Sequence, residues 1–252
     1  MKAMIFAAGL GTRLKPLTDT MPKALVPLAG KPLLQWQVEH LRDAGIRDII
    51  VNVHHFPDLI IDTIRRNAGW GCNILISDER DQLLDTGGGL RKVLIDHPEW
   101  TATNEPILAC NVDILSNIDL GAFLNAYDPN TLGLLVVSER PTQRYLCFDD
   151  TCQLRGWTNI QTGEVRPLSI HQSIIPSLKL LAFSGMQILS PRILDCMDSV
   201  VATKGEKFSL IDLYLHCCQT ETLKAYVPHH YRMMDVGKID QLSQAEAFAQ
   251  TL

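Results

Sequence analysis

The tightest constraint on this chain lies at its start. The run Lys2-Ala3-Met4-Ile5-Phe6-Ala7 is short and apolar, and it breaks at once into Ala8-Gly9-Leu10-Gly11-Thr12-Arg13. A run of that length, ended by glycine turn chemistry, predicts a buried first strand of an α/β sheet. The Gly-Leu-Gly lets the backbone turn tightly and bring bare N–H groups against an anion. Arg13, Lys15 and Lys23 place fixed positive charge beside those amides. The loop is therefore suited to several phosphate groups at once, which points to chemistry on a nucleoside triphosphate. The charge balance agrees. Residues 1–31 hold Lys2, Arg13, Lys15, Lys23 and Lys31 against Asp19 alone, five minus one or +4, in a chain whose net charge is −5. A cationic pocket in an acidic protein implies a small anionic ligand and argues against a nucleic-acid surface.

With 252 residues, 46% apolar and 20% charged, the chain has enough apolar side chains for a sizeable core and too many for disorder. One domain spanning 1–252 is expected. The seven cysteines are odd in number and contain no CxxC, so they read as reduced core residues of a cytosolic protein rather than a disulfide framework or zinc site. Lys2 before an apolar run imitates a signal peptide, but the glycine turn and Arg13 favour a strand. No apolar run is long enough to cross a membrane. The expectation is a cytoplasmic protein with no membrane partner.

Strand and helix patterns alternate beyond the loop. Pro32 opens a helix whose Leu34, Val38 and Leu41 share a face, with Gly45 at the C-terminal cap. Strands are predicted at 49–53, 73–76, 106–110 and 132–137, and helices at about 57–68 and 119–127. Gly87-Gly88-Gly89 is predicted to lead into a helix through Leu90, Val93 and Leu94. This rhythm implies a doubly wound, mainly parallel sheet whose ligands sit beyond the carboxyl ends of the strands. From 138 to 182 the pattern weakens into short antiparallel strands, Arg144 to Asp149, Gln153 to Trp157 and Ser177 to Phe183. This reads as an insertion over the sheet, holding part of a second substrate. Ser209 and Asp212 form a capping box before a helix. Tyr231 to Val236 is a late strand, and a terminal helix carries Leu242, Ala245 and Phe248.

The opening loop is neither a Walker P-loop, since GxxxxGK[ST] is absent, nor a Rossmann fingerprint, since Leu14 stands where the third glycine would be. The adjacent pairs His54-His55 and His229-His230 point to opposite faces if on a strand, which disfavours a shared metal. Trp157 is a candidate for stacking on a ring-shaped ligand.

The segment Ala7-Ala8-Gly9-Leu10-Gly11-Thr12-Arg13-Leu14-Lys15-Pro16-Leu17-Thr18, followed by Pro22-Lys23-Ala24-Leu25-Val26-Pro27-Leu28-Ala29-Gly30-Lys31-Pro32, resembles the opening of the sugar-1-phosphate nucleotidyltransferases. The likeness runs almost end to end and is nearest to the short single-domain members, the N-acetylmuramate-1-phosphate uridylyltransferases and mannose-1-phosphate guanylyltransferase-like enzymes. It implies a GT-A-like, Rossmann-like fold: a doubly wound mixed, mainly parallel sheet with a small antiparallel insertion. It implies transfer of a nucleoside monophosphate from an NTP to a sugar 1-phosphate, with pyrophosphate leaving and Mg²⁺ (or Mn²⁺) as cofactor. By resemblance, Arg13 holds the departing phosphates and Lys23 the α-phosphate and the incoming sugar phosphate. Ala8, Gly9, Leu10, Gly11, Thr12, Asp85, Gly87 and Gly88 border the nucleotide. Asn111, Ser184, Gly185 and Arg144 border the sugar phosphate, and Asp113 and Asp235 hold the metal. Val112 replaces a small residue of the family pattern, and Asp85 replaces a glutamate. Glu164-Val165-Arg166-Pro167 is the nearest text to the family's Glu-Lys-Pro, and Arg140 is a further candidate for gripping the sugar phosphate.

UTP or GTP is the favoured nucleotide, the protein a monomer or small homo-oligomer, and the setting bacterial cell-envelope sugar metabolism. Two rival readings remain at this stage. A cytidylyltransferase for phosphocholine or a similar non-sugar phosphate would need an aromatic cage for the amine. A catalytically silent nucleotide-sensing paralogue would lack Arg13, Lys23 or an acidic metal ligand.

Overall fold

The computed structural model describes every residue except Leu168, Ile170 and His171. β1 (Lys2–Phe6) opens the chain, and β2 (Pro27–Leu28) and β3 (Lys31–Pro32) make a small ladder ahead of α1 (Leu33–Asp43). β4 (Asp48–Val53), α2 (Pro57–Arg66), β5 (Asn73–Asp78), α3 (Asp85–Asp96), β6 (Ile107–Asn111), β7 (Ile114–Ser116) and α4 (Leu120–Asn125) continue the alternation. Then come β8 (Gly133–Ser138), β9 (Arg144–Phe148), β10 (Leu154–Asn159), β11 (Glu164–Arg166) and β12 (Lys179–Leu189). The chain closes with α5 (Ile193–Lys204), α6 (Leu210–Cys217), β13 (Leu223–Tyr226), β14 (Met233–Asp235) and α7 (Leu242–Ala249).

The main sheet runs β11-β10-β9-β12-β6-β1-β4-β5, with β8 beside β12 and β13 beside β8. Its parallel heart is β6-β1-β4-β5. β12 joins that heart antiparallel to β6, and its first residues pair with β9. The sequence's 138–182 segment is thus a continuation of the sheet by β9, β10 and β11. Successive side chains of a strand point to opposite faces, and β1 shows the consequence. Ala3 and Ile5 join one core with Leu34, Val38 and Leu41 of α1 and Ile60 of α2. Met4 and Phe6 join the other with Leu90 and Val93 of α3, Met197 of α5 and Leu213 of α6. Helices on both faces of a mixed sheet are the doubly wound architecture that the sequence predicts.

Most boundaries agree to within two or three residues. Gly45 ends α1 at φ +85°, with its N–H on the Arg42 carbonyl at 2.8 Å. Two departures bear on function. Gly87-Gly88-Gly89 lies inside the first turns of α3 rather than in a loop before it. The strand predicted to stop at Phe183 runs on to Leu189. It is interrupted by a register shift after Phe183, where Gly185 takes φ +72°. The sequence pattern predicts neither α5 nor β13. All seven cysteines are unpaired, and burial pushes the Cys110 and Cys147 thiols up to about 12. Among the described residues no helix is long and apolar enough to cross a membrane.

The Ser209 cap is as predicted: its side chain accepts the Asp212 N–H, and the Asp212 carboxylate takes the Ser209 N–H in return. The same segment leads into α6 past Lys207 and Phe208. Ser209→Ala should lower stability by about 1 kcal/mol in urea unfolding. A variant as stable as the parent would show that the box carries no weight.

Candidate active site

The carboxyl ends of β1, β4 and β6 lie side by side, because Phe6 is in register with Asn52 on one flank and Asn111 on the other. The chain moves outward from β1 to β4 and β5 in one direction and reaches β6 in the other. Strand order reverses there, and open α/β sheets place ligands in the crevice beyond such a point. Two adjoining cavities occupy it. One, of about 420 Å³, is lined by residues 8–13 and by Lys23, Asp85, Thr86, Lys207 and Gly237 among others. The second, of about 160 Å³, shares Gly9, Lys23 and Thr86 and adds Asn111 and Asp113. A separate cavity of about 400 Å³ between α1 and β7 also contains a cation, Lys31, but that ammonium is already paired with Glu39 at 2.6 Å.

The two loop glycines serve different ends. Gly11 sits at φ +63°, and a Cβ there would meet Thr18 Cγ2 at 2.9 Å and Lys23 Cβ at 3.0 Å. Its carbonyl accepts from the Thr18 hydroxyl at 2.9 Å and from the Leu14 N–H at 2.8 Å. The protein itself needs Gly11, to fold the loop down onto Lys23. A Cβ on Gly9 would meet nothing within 4 Å. Its missing side chain leaves room only for something outside the chain.

Lys23 and Asp113 form an ion pair, with the side chains 12% and 16% exposed. Asp113 follows β6 and precedes β7, and β7 pairs antiparallel with β14 so that Asp235 faces Ile114. The Val236 N–H donates to the Asp113 carbonyl at 2.8 Å. The two carboxylates, from residues far apart in sequence, are thereby neighbours. Partial burial and the Asp113 charge push the Asp235 carboxyl up, against the pull of Lys23 and Arg13. Gly237 is wedged between Asp235 and Arg13: a Cβ there would lie 2.7 Å from Asp235 Oδ1 and 2.9 Å from Arg13 Nη2. Arg13, Gly237, Asp235, Asp113 and Lys23 make one contiguous surface. Two crowded carboxylates, one held above its ordinary range partly by the other, suit a hard divalent cation completed by phosphate oxygens.

The other sequence-predicted residues divide. Ala8, Leu10 and Thr12 line the larger cavity, and Leu10 is 42% exposed. Asp85 lines it too, at φ +63°, with Oδ1 accepting the Thr86 N–H at 2.6 Å. Gly87 and Gly88 do not. Their N–H groups both donate to the Phe208 carbonyl, at 2.9 and 3.1 Å, and a Cβ on either would strike Phe208 or the Glu206 carbonyl. These glycines admit the lead-in to α6, not a ligand. Asn111 lines the smaller cavity, and Gly185 packs against it, with a Cβ placed 2.9 Å from Asn111 Nδ2. Ser184 is fully buried and lines neither cavity. Arg144 opens β9 opposite Asn159 and likewise lines neither cavity. Arg140 instead reaches the Phe183 carbonyl at 3.0 Å. Lys15 is paired with Asp19 at 3.0 Å. Arg166 is paired with Glu164 at 2.7 Å and covers the Trp157 ring at 5.0 Å, so neither is free for a substrate. Lys207, Gly237 and Asn52 are cavity residues to which the sequence reading gave no role. A glycine two residues after Asp235 is the one available signal. Lys207 carries none.

The family profile described as "Nucleotidyl transferase" matches residues 2–145, more than half of the chain. The chain belongs to the nucleotidyl transferase family. It is 38% identical over 155 residues to N-acetylmuramate alpha-1-phosphate uridylyltransferase of Caulobacter vibrioides, covering 59% of this chain and 62% of that protein. It is 28% identical over 242 residues to mannose-1-phosphate guanyltransferase of Yarrowia lipolytica, covering 94% of this chain and 61% of that protein. The alignments thus span about three fifths of each relative's length. The fold is that of HddC from Yersinia pseudotuberculosis, solved in complex with GMP-PN. The TM-score is 0.73 at 22% identity, covering 98% of this chain and 99% of that one.

Gly9→Ala tests the reading of the loop. The methyl meets no protein atom, so the unfolding free energy should stay within about 0.5 kcal/mol of the parent. Triphosphate affinity, measured by calorimetry, should fall on the order of tenfold. Unchanged affinity would place the ligand elsewhere.

Proposed function

We propose that this chain transfers a nucleoside monophosphate from an NTP to a sugar 1-phosphate and releases pyrophosphate. The observation that carries the reading is the contiguous Arg13–Gly237–Asp235–Asp113–Lys23 surface at the point where strand order reverses. A phosphate oxygen of the sugar phosphate attacks the α-phosphorus. The bond from that phosphorus to the oxygen bridging to the β-phosphate breaks, and pyrophosphate departs with the electron pair. The nucleophile is already an anion, so no general base is required, and catalysis is positioning plus charge stabilisation.

Each residue has a place in that scheme. The bare face of Gly9 admits the phosphates to the loop amides. Arg13, exposed and free of any ion pair among the described residues, meets the charge that builds on the leaving pyrophosphate. Lys23 exchanges its Asp113 partner for the α-phosphate and the incoming phosphate. Asp113 and Asp235 would hold Mg²⁺, which supplies neutralisation of phosphate charge when bound. Asn111, backed by Gly185, borders the smaller cavity, where the sugar phosphate enters. Asp85, Thr86 and Lys207 line the part of the larger cavity assigned to the nucleoside. The printed names of the relatives, a uridylyltransferase and a guanyltransferase, support UTP or GTP as donor. A phosphocholine substrate is disfavoured, because Phe6 is the one aromatic among the described residues lining the two cavities and a quaternary amine calls for a cage of rings.

The test is pyrophosphate release from four NTPs against a panel of sugar 1-phosphates, with and without Mg²⁺. Arg13→Ala and Asp113→Asn should each lower turnover by roughly 10²–10³ while the thermal midpoint stays near that of the parent. Near-normal rates in either variant, or no release with any pair of substrates, would overturn the proposal.

A further inference from the structure

Glu79 is a carboxylate that the chemistry above leaves unused. It is 3% exposed, and none of its contacts is an ion pair with a cation among the described residues. Its Oε1 accepts from Asn52 Nδ2 at 2.7 Å, and its Oε2 accepts the Leu84 N–H at 3.1 Å. Asn52, 2% exposed at the end of β4, turns its Oδ1 to the Ala7 N–H at 2.7 Å. Three hydrogen bonds therefore join Ala7, Asn52, Glu79 and Leu84 in one relay. Both ends are informative. Ala7 immediately precedes the 8–13 loop, and Leu84 immediately precedes Asp85 and Thr86, which line the same cavity. The backbone around the pair is tied as well: the Glu79 N–H donates to the Val53 carbonyl at 2.8 Å, and the Glu79 carbonyl accepts from Gln82 at 3.0 Å and contacts His54 Nδ1 at 2.7 Å.

The relay has one polarity. An amide N–H only donates and a carboxylate only accepts, so the Asn52 side chain can be placed in one orientation only. The third glycine of α3 is explained by the same pair. A Cβ on Gly89 would lie 2.7 Å from Glu79 Oε1 and 2.9 Å from Asn52 Nδ2. The helix gives up a better helix former here to leave space for the two side chains. Burial pushes the Glu79 carboxyl up, and the Asn52 and Leu84 donors oppose that.

We propose that Asn52 and Glu79 are positioning residues that set the span between the phosphate loop and the nucleoside wall, and so determine the affinity for a whole nucleoside triphosphate. This rests on the nucleotide-binding reading above. Glu79→Gln turns an amide NH₂ toward the Asn52 NH₂ while Leu84 keeps its acceptor. Asn52→Asp sets a carboxylate against a carboxylate. The double variant Asn52→Asp/Glu79→Gln restores every donor–acceptor match. In it the carboxylate at position 52 accepts from the Ala7 N–H and from the amide NH₂ introduced at position 79. The oxygen of that amide accepts the Leu84 N–H, and the net charge is that of the parent.

The experiment measures, by calorimetry with Mg²⁺, the affinity of each folded variant for UTP, for GTP and for inorganic tripolyphosphate, which reaches the phosphate loop alone. Far-UV dichroism and the thermal midpoint report folding. Each single variant should lose about tenfold or more in affinity for the better-bound nucleotide and less than about threefold for tripolyphosphate. The double variant should recover to within about threefold of the parent. Gly89→Ala, which leaves both side chains in place but crowds them, should reproduce the nucleotide-selective loss. Equal losses for nucleotide and tripolyphosphate, no loss at all, or a double variant no better than the worse single would overturn the positioning role. A parent protein that binds tripolyphosphate but neither nucleotide would instead overturn the nucleotide reading itself, and this proposal with it.

Discussion

The feature on which the site depends is the enforced proximity of two carboxylates. Asp113 and Asp235 are brought together by the β7–β14 ladder and by the Val236 N–H on the Asp113 carbonyl. Like charges at such a separation repel, the more so as water is excluded. The chain offsets this with cations from its N-terminal stretch: Lys23 pairs with Asp113, and Arg13, across Gly237, draws on the Asp235 charge without forming an ion pair. The arrangement therefore stores an unmet demand for positive charge beside cations able to change partner. A ligand that brings both negative phosphates and a divalent ion satisfies carboxylates and cations together. The local charge of the first 31 residues reflects this only in part: of their five cations, Lys15 and Lys31 are paired elsewhere, and Lys2 donates to the Glu99 carbonyl.

Glycine is the residue through which the chain adjusts the spacing of these groups, and its uses are not interchangeable. Gly9 faces open space, whereas Gly11 is folded against Thr18 and Lys23. Gly87 and Gly88 accept the Glu206–Phe208 strap, and Gly89 accepts the Asn52–Glu79 pair. Four of these five glycines make room for protein, and one makes room for something else. A run of three glycines before a helix reads in sequence as a place where backbone can come close to a bound nucleotide. In the folded chain it is a tightly packed part of the first turn of α3, with the N–H groups of Gly87 and Gly88 spent on the Phe208 carbonyl.

That distinction marks what could be read in advance. The parallel heart of the sheet was legible because buried strands and amphipathic helices are local patterns: β1, β4, α1 and the Ser209–Asp212 cap depend on neighbours within a few residues. The opening loop was legible because its glycines, Arg13 and Lys23 lie within one short stretch. The placing of Ser184 away from both cavities was not legible because the path of β12 is set by its partners. It pairs with β9, then β8 and β6, and turns at Gly185 where Asn111 presses on it. No local signal encodes that turn. Lys207 was invisible for the same reason: its place on the cavity follows from hydrogen bonds between Phe208 and residues 84, 87 and 88, contacts that span more than a hundred residues.

The site is consequently assembled from two kinds of chain. Arg13, Lys23, Asp85 and Asp113 fall within residues 2–145, the part that the family profile matches, while Lys207, Asp235 and Gly237 fall outside it. The second group reaches the first through backbone pairing, by β14 along β7 and by Phe208 against residues 84, 87 and 88 at the start of α3. Backbone hydrogen bonds are largely indifferent to side-chain identity, so such docking can persist while the side chains it carries change. The folded likeness to HddC, at a TM-score of 0.73 with 22% identity, is what that indifference permits. It follows that the end of the cavity lined by residues 8–13 and Lys23 is held by a short contiguous motif, whereas its remaining walls are held by geometry. On those remaining walls Lys207 and the strap before α6 meet Asp85 and Thr86, so two stretches more than a hundred residues apart close one cavity.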